Sequence, residues 1–316
     1  MVTSLIGAVE SGLLYALMAL GVFITFRILD FPDLTVDGSF TTGAGIATVM
    51  TLNGVHPVLS LLCAFCGGAL AGLMTGLLHT KGKINGLLSG IIMMIALYSI
   101  NLRIMGKPNL TLRNEANLFD GAPMIVKGAP ALLIGLILAV AVKIILDLFF
   151  KTNIGLSLRA TGDNKRMIQS FGANTDMTTI LGVSLSNALV ATSGALIAFS
   201  TKQANANMGV GMIVIGLASV IIGEAIFGKR TIFRTTLAVL FGAIIYRIIY
   251  ALALRVPGMD AQDMKLITAI IIICALVIPT VKTAVTEKQI SRKRAREVMI
   301  SLETNSASKE GVNAKY

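Results

Sequence analysis

KTNIGLSLRATGDNKRMIQSFGANTDM, Lys151–Met177, is a long polar stretch in the middle of an otherwise apolar chain. The runs on either side, Ala129–Phe150 and Thr178–Phe199, are too long and too apolar for helices of a soluble domain. A connection between two membrane spans is usually short and irregular, but this one carries helix signals. Asp163 and Asn164 are good N-cap residues, Lys165–Phe171 can be helical, and Gly172 can end the helix. Leu156, Leu158, Met167, Ile168 and Phe171 give the stretch an apolar side that must press against something. A helix lying on lipid headgroups would satisfy this pattern. So would a helix that docks a partner protein on the cytoplasmic side, and the rest of the chain favours that reading.

The composition excludes a soluble domain. Of 316 residues, 55% are hydrophobic and 14% charged, whereas soluble domains are about a quarter charged. With a mean hydropathy of +0.81, the chain reads as an all-α integral membrane protein. Trp is absent and only five Tyr occur, so the interfacial aromatic belt is thin. No basic n-region precedes the first apolar run, and no cleavable signal is expected. Cys63 and Cys66 form a CxxC without a second pair or a His cluster, so they and Cys274 read as buried thiols acting as small hydrophobes.

Apolar runs of about twenty residues mark the spans. They are Ser4–Phe26, Gly38–Leu52, His56–Leu78, Ile84–Met105, Ala129–Phe150, Thr178–Phe199, Gly209–Phe227, Thr231–Leu254 and Met264–Val281, nine segments in all. A transmembrane domain over 1–284, containing the polar stretch 151–177, is expected to precede a basic tail over 285–316. Lys and Arg concentrate in alternate connections: Arg27; Lys81 and Lys83; Lys151, Arg159, Lys165 and Arg166; Arg230 and Arg234; and the tail. By the positive-inside rule the central stretch and the C-terminus face the cytoplasm and the N-terminus faces out. The net charge of +11 is therefore a topology signal beside anionic lipid, not a nucleic-acid surface. This topology runs the first and sixth spans in opposite directions, compatible with an inverted repeat of the first four and last four. Gly68, Gly72 and Gly76, four apart, put a small face on the third span for close helix packing.

Gly223–Arg230, GEAIFGKR, comes near a phosphate-binding loop, but Arg230 stands where a Ser or Thr should hold magnesium and an apolar span precedes it. No nucleotide site is expected in this chain. Charged residues within the spans are costly unless partnered or functional. Lys143 and Asp147, spaced i, i+4, should neutralise each other; Glu224 should pair with a nearby Lys or Arg; Glu10 sits close to an end; Arg247 must point into the protein or a water-filled path. Phe31–Phe40, FPDLTVDGSF, has the composition of a helix break with a restart at Asp37. Such a restart offers N–H groups to a substrate carboxylate, and Asp33 and Asp37 could hold an amine. A plain turn between spans is the alternative. Asp33, Asp37, Ser39 and Arg247 are accordingly the candidate substrate-path residues.

Gly155-x-x-x-Arg159-Ala160-x-Gly162-x-Asn164, followed by Gly172, resembles the cytoplasmic coupling loop of ATP-binding-cassette importer permeases of the branched-chain amino acid and ribose type. The opening SGLLYALMALGVFITFRILDFPDLTVDGSFTTGAGIA is similar to the first two spans of that superfamily, and FPDLTVDGSF most resembles tryptophan/tyrosine transport permeases within it. The resemblance extends to about Lys282. It departs at Ile168, where relatives often have Ala, and at Ala173, where Ile is common. It implies a permease of a bacterial inner membrane, not an enzyme, that carries an amino acid, aromatic in the nearest look-alikes. The implied partners are a second permease copy, two ATPases that hold ATP and magnesium, and an extracytoplasmic binding protein. Gly155, Gly162 and Gly172 would then allow turns, Asp163 or Asn164 would cap the coupling helix, and Arg159, Lys165 and Arg166 would offer charge to the ATPase. An ion-coupled carrier using Asp33, Asp37, Glu224 or Arg247 is the alternative.

Overall fold

A computed structural model describes residues 2–112, 118–119, 131–228 and 231–253, with isolated residues between 266 and 277. The chain divides into a unit over Met1–Ala269 and a second over Ile270–Tyr316. Of the second unit only Ile270, Ile273 and Val277 are described, all helical. Among its described residues the first holds ten α-helices and one two-stranded ribbon. In order they are α1 (Val2–Val22), which continues as a π-helical turn (Phe23–Ile28), α2 (Thr35–Leu52), α3 (Pro57–Thr80), α4 (Gly86–Met105), β1 (Asn109–Thr111), α5 (Ala131–Phe149), α6 (Asn153–Asp163), α7 (Lys165–Ser170), α8 (Thr175–Thr201), β2 (Gln203–Asn205), α9 (Met212–Phe227) and α10 (Ile232–Ala253). Helices dominate because a backbone in hydrocarbon must satisfy its own polar groups.

Local chemistry sets the boundaries. Pro57 opens α3 behind His56, whose side chain accepts from Val58 N, and Asn85 caps α4 by accepting from Leu87 N. Among the described residues six helices are long and apolar enough to cross a membrane: Ser4–Ile28 with its π turn, α3, α4, α5, α8 and α10. Eight of the nine expected segments are helices, but α2 and α9 do not meet that standard and the ninth, Met264–Val281, lies mostly outside the described residues. Of the nine expected apolar segments, six are thus membrane-length helices and two are shorter or more polar helices among the described residues.

The core forms around α8, buried along most of its length. α3 runs antiparallel to it, with Gly68 against Asn187 and Ala191, Gly72 against Val183 and Ser184, and Gly76 against Ile180. The small face read from the sequence is thus a packing face. α1 is also antiparallel to α8, as expected for the first and sixth spans. Ser186 Oγ donates to Gly21 O at 2.7 Å, and Ser193 Oγ donates to Leu14 O at 2.8 Å. Such hydroxyl bridges hold helices together where lipid gives no hydrophobic drive between them. The outer faces of α3, α4 and α5 expose Leu62, Leu70, Ile95 and Ile145, the surface a bilayer solvates. Cys66 is also exposed there and Cys63 is half-buried, so of the three thiols expected to be buried these two are not fully so, and both are free; Cys274 lies outside the described residues.

Charged pairs follow the sequence reading. Lys143 Nζ lies 2.6 Å from Asp147 Oδ2, both buried, and Thr236 Oγ1 donates to Asp147 Oδ1 at 2.8 Å. Lys143 Nζ also sits 3.1 Å from the centre of the Phe233 ring. Arg27 Nε meets Glu224 Oε1 at 2.8 Å, tying the π turn to the end of α9.

Candidate functional site

α2 lies beside α4 and runs in the same sense, with Leu34 against Gly90, Gly38 against Leu97 and Gly45 against Met105. At 1.5 Å per residue Leu97 stands about 16 Å along α4 from Gly86, roughly halfway. The first turn of α2 therefore starts inside the helical layer, not at its edge. The segment FPDLTVDGSF is the reason: the π turn ends α1, residues 29–34 fold back inward, and α2 restarts at Thr35. The restart precedes the expected Asp37. Asp33 receives it, its Oδ1 accepting from Thr35 N at 2.9 Å.

Asp33 is fully buried and belongs to a closed polar network. Asn187 Nδ2 donates to Asp33 Oδ2 at 2.6 Å, Ser39 Oγ donates to Asn187 Oδ1 at 2.7 Å, and the Thr35 and Thr75 hydroxyls meet at 2.8 Å. This network joins α2, α3 and α8, so the turn between the first two helices carries a buried carboxylate although Asp30 and Pro32 beside it are exposed. Asp37 points elsewhere. Its carboxylate accepts from Gly211 N and from Ile213 N, each at 2.8 Å, and so caps the start of α9. Gly211 has φ of +84°, the left-handed conformation that glycine adopts without strain, and this turns the two N–H groups onto the carboxylate. Because Asp37 is near mid-depth, α9 begins there too. It is a 16-residue helix, shorter than the spans, with its N-terminus inside the protein, the geometry that transporters use around a solute path.

The chain reaches that point through a pinned descent. β2 pairs antiparallel with β1, Asn109 opposite Asn205 and Thr111 opposite Gln203. Ala204 and Ala206 are buried beside the end of α4, and Gly209 N donates to Thr41 Oγ1 at 3.1 Å. Between α2, α4 and this descending segment lies a cavity of about 240 Å³, whose lining includes Asp37, Thr41, Tyr98, Asn101 and Val210. Of the four candidate path residues only Asp37 reaches it. Ser39 and Asp33 face the α8 network, and Arg247 lies over Tyr15, its guanidinium 3.5 Å from the ring centre and 5.4 Å from that of Tyr250. Arg247 does point into the protein, as its cost in lipid requires. Asn101 and Asn187 are not among the residues expected from the sequence, although a lone Asn inside an apolar run is the same kind of signal as a charged residue there.

The central stretch folds as two helices. Thr152 caps α6 by accepting from Gly155 N, and Asn164 caps α7, its Oδ1 accepting from Met167 N at 3.0 Å. Gly172, φ +81°, follows the end of α7. The expected helix Lys165–Phe171 is α7, one residue shorter; α6 was not expected as a helix. Gly155 and Gly162 are therefore interior helix residues, not turns. A Cβ at Gly155 would strike Phe149 O, and one at Gly162 would strike Ile28 O of the π turn. Gly155, Leu158 and Thr161 form the buried side of α6, and Thr161 Oγ1 meets Thr178 Oγ1 at 3.0 Å. No residue of α7 is buried, and Phe171 beyond it is 79% exposed. Lys165 Nζ reaches Asp176 at 3.7 Å, while Arg159 lines a cleft of about 370 Å³ together with Arg27, Asp163 and Glu224. Arg166 is exposed on α7. Among the described residues no group of His, Cys, Asp and Glu could hold a metal ion.

Residues 4–278 match the family described as branched-chain amino acid transport system / permease component. A tyrosine transport system permease protein of Clostridioides difficile is 45% identical over 274 residues, covering 87% of this chain and 90% of that protein. A Methanocaldococcus jannaschii protein named "Probable branched-chain amino acid transport permease protein LivH" is 28% identical over 229 residues, 69% of this chain and 72% of its own. Among solved structures, PsaBC from Streptococcus pneumoniae in complex with Fab shares the fold at a TM-score of 0.50 and 12% identity, over 87% of this chain and 90% of that one. These relatives are components of transport systems, and the apolar helices are those of a multi-pass membrane protein. With six membrane-length helices and a family match over nearly its whole length, the chain belongs to the branched-chain amino acid transport system permease family.

Proposed function

We propose that this permease is the membrane subunit of an ATP-driven importer for an amino acid, aromatic by its likeness to the tyrosine permease. Two copies would enclose the path, two cytoplasmic ATPases would dock on α6–α7, and an extracytoplasmic binding protein would deliver the solute. One observation carries the reading: α6 is anchored while α7 is offered outward. The buried side of α6 rests on the π turn and on α8, and its close approach at Gly162 leaves no slack. Met167 and Phe171 meanwhile stand exposed at the same end, a face that needs an occupant. A push on α7 would be transmitted through α6 to the π turn and to residues 29–34, which set the start of α2. Arg27, Lys151, Arg159 and Arg166 gather at this end, which the positive-inside rule assigns to the cytoplasm.

An ion-coupled carrier would need a buried carboxylate free to exchange its ion. Asp33 and Asp37 are held by protein donors, and Glu224 is paired with Arg27. The test is co-purification through a C-terminal tag, comparing the intact chain with one lacking Lys165–Phe171, together with uptake by cells carrying Gly162→Ala. A stoichiometric ATPase held only by the intact chain is expected. The Gly162→Ala protein should insert normally yet lose at least tenfold in ATP-dependent uptake. Uptake that survives ATP depletion and stops when ion gradients collapse would replace this reading with the carrier.

A further inference from the structure

Where α5 hands over to α6, a groove of about 540 Å³ opens against the first turn of α10. Phe150, Leu156, Ile232 and Phe233 supply apolar walls, and Asp147, Lys151 and Arg159 supply charge. Asp147 is already neutralised by Lys143 Nζ at 2.6 Å. Among the described residues neither Lys151 nor Arg159 has an ion pair, so the groove is left net positive. Asp163 stands one turn beyond Arg159 on α6, a spacing that permits pairing, yet the two do not meet. Arg159 instead borders both this groove and the cleft beside Arg27 and Glu224. The groove also lies at the edge of hydrocarbon. Lys151 N donates to Leu148 O, which continues the winding of α5 past its end. Ile144 and Leu148 share a face with Lys151 and are exposed, as is Phe233 on α10. A bilayer-facing apolar strip thus runs up to two unpaired cations.

We propose that this groove binds an anionic phospholipid, with its phosphate between Lys151 and Arg159 and the start of its acyl chains against Leu148, Leu156 and Phe233. A guanidinium matches phosphate oxygens two at a time, and the lysine adds a point charge. The volume falls within the roughly 300–1,000 Å³ of small-molecule sites. A soluble anion would leave the apolar walls in water, and a zwitterionic lipid would leave the two cations without net compensation. The positive-inside rule puts this end on the cytoplasmic side, whose leaflet carries the anionic lipid. The assignment goes beyond the importer reading, since it depends on neither the solute nor the energy source. Its consequence is mechanical: one lipid would tie the base of α6 to α10, away from the contact at Gly162. Each basic residue near an anionic surface is worth roughly fivefold in affinity, so losing both should cost more than about tenfold.

The experiment delipidates the full-length permease in detergent and titrates back phosphatidylglycerol, phosphatidylcholine or inorganic phosphate. Native mass spectrometry reads the bound lipid, beside the melting midpoint. Phosphatidylglycerol should bind saturably and raise the midpoint; phosphatidylcholine should bind about tenfold more weakly, and phosphate should not reproduce the shift. Lys151→Gln with Arg159→Gln should weaken phosphatidylglycerol about tenfold or more. Lys81→Gln, at an exposed lysine that ends α3 outside the groove, should leave binding within about twofold. Leu156→Trp, at an exposed position that tolerates bulk, should fill the groove and weaken the lipid as strongly while leaving the lipid-free midpoint unchanged. Equal binding of the two lipids, or equal loss in Lys81→Gln and in the groove variants, overturns the site, because the chain then responds only to surface charge. A shift reproduced by phosphate gives the groove to a soluble anion, and release of the lipid when the ATPase binds gives it to that partner; either result overturns the proposal.

Discussion

Replacing Asp37 separates two roles that its position allows. The carboxylate accepts from Gly211 N and Ile213 N, each at 2.8 Å, at the buried start of α9. Water cannot readily replace it there, because α9 begins about halfway along the span. Two hydrogen bonds to a charged acceptor are worth about 1.5–3 kcal/mol each, so Asp37→Ala should cost roughly 3–6 kcal/mol. With an unfolding entropy near 2.1 cal/mol/K per residue, a chain of this length should melt about 5–9 °C lower. Asp37→Asn keeps one acceptor and places an amide nitrogen against the other N–H, so it should fall between the two. The assay is the melting midpoint of detergent-purified protein, beside tyrosine uptake at matched membrane levels. If the cap dominates, stability and uptake fall together in the order wild type, Asn, Ala. If the charge serves the solute as well, Asp37→Asn loses uptake beyond its loss of stability. An Ala variant melting within 1 °C of wild type would refute the capping account.

The buried pair Lys143–Asp147 gives a contrasting expectation. Removing one partner strands a buried charge and should cost about 3–5 kcal/mol, while the double change Lys143→Met with Asp147→Leu should be nearly neutral; thermal midpoints of the three variants decide it. A double variant no more stable than either single one would show that the bond from Thr236 to Asp147, not the pair, holds α5 to α10. Arg27–Glu224 is half exposed on its arginine side, and exposed pairs contribute about 0–1 kcal/mol. Exchanging the two residues should therefore leave the melting midpoint within 2 °C while restoring the uptake lost by Glu224→Arg alone, measured by tyrosine accumulation.

The helices were legible because an apolar run of twenty residues has only one economical structure in lipid. The α7 boundaries were legible for a different reason: Asn164 and Gly172 act locally, and their chemistry is independent of what surrounds them. The depth of each helix was not legible. Gly38–Leu52 and Gly209–Phe227 look like spans slightly short of full length. Only the contacts of Leu34 with Gly90 and of Asp37 with Gly211 reveal that α2 starts about a turn inside the layer and α9 near mid-depth. Asp37 shows the difficulty most clearly. Its sequence neighbours suggest the cap of its own helix, yet it caps α9 through Gly211, 174 residues further along the chain. No local rule carries that distance.

Glycine was misread for the same reason. In Gly155-x-x-x-x-x-x-Gly162 the pattern suggests turns, since φ freedom is what glycine offers a chain read in isolation. Both residues are helical here, and what matters is the missing Cβ: Gly155 lets α6 fold back against Phe149 O, and Gly162 lets it touch Ile28 O. A coupling element needs that second contact more than a hinge. A flexible turn would absorb the displacement of α7, whereas a rigid α6 resting without a gap on the π turn must pass it on. The π turn buries Phe23, Ile24 and Thr25 and carries the Arg27 that meets Glu224. It leads directly into the six residues that position Asp33 and the start of α2. The path from α7 to the buried network is therefore one short run of contacts: Gly162 to Ile28, then along the chain to Asp33, then through Asn187 to α8. A methyl group at Gly162 interrupts that run at its first step without touching the cavity, which is why its effect should appear in uptake and not in solute binding.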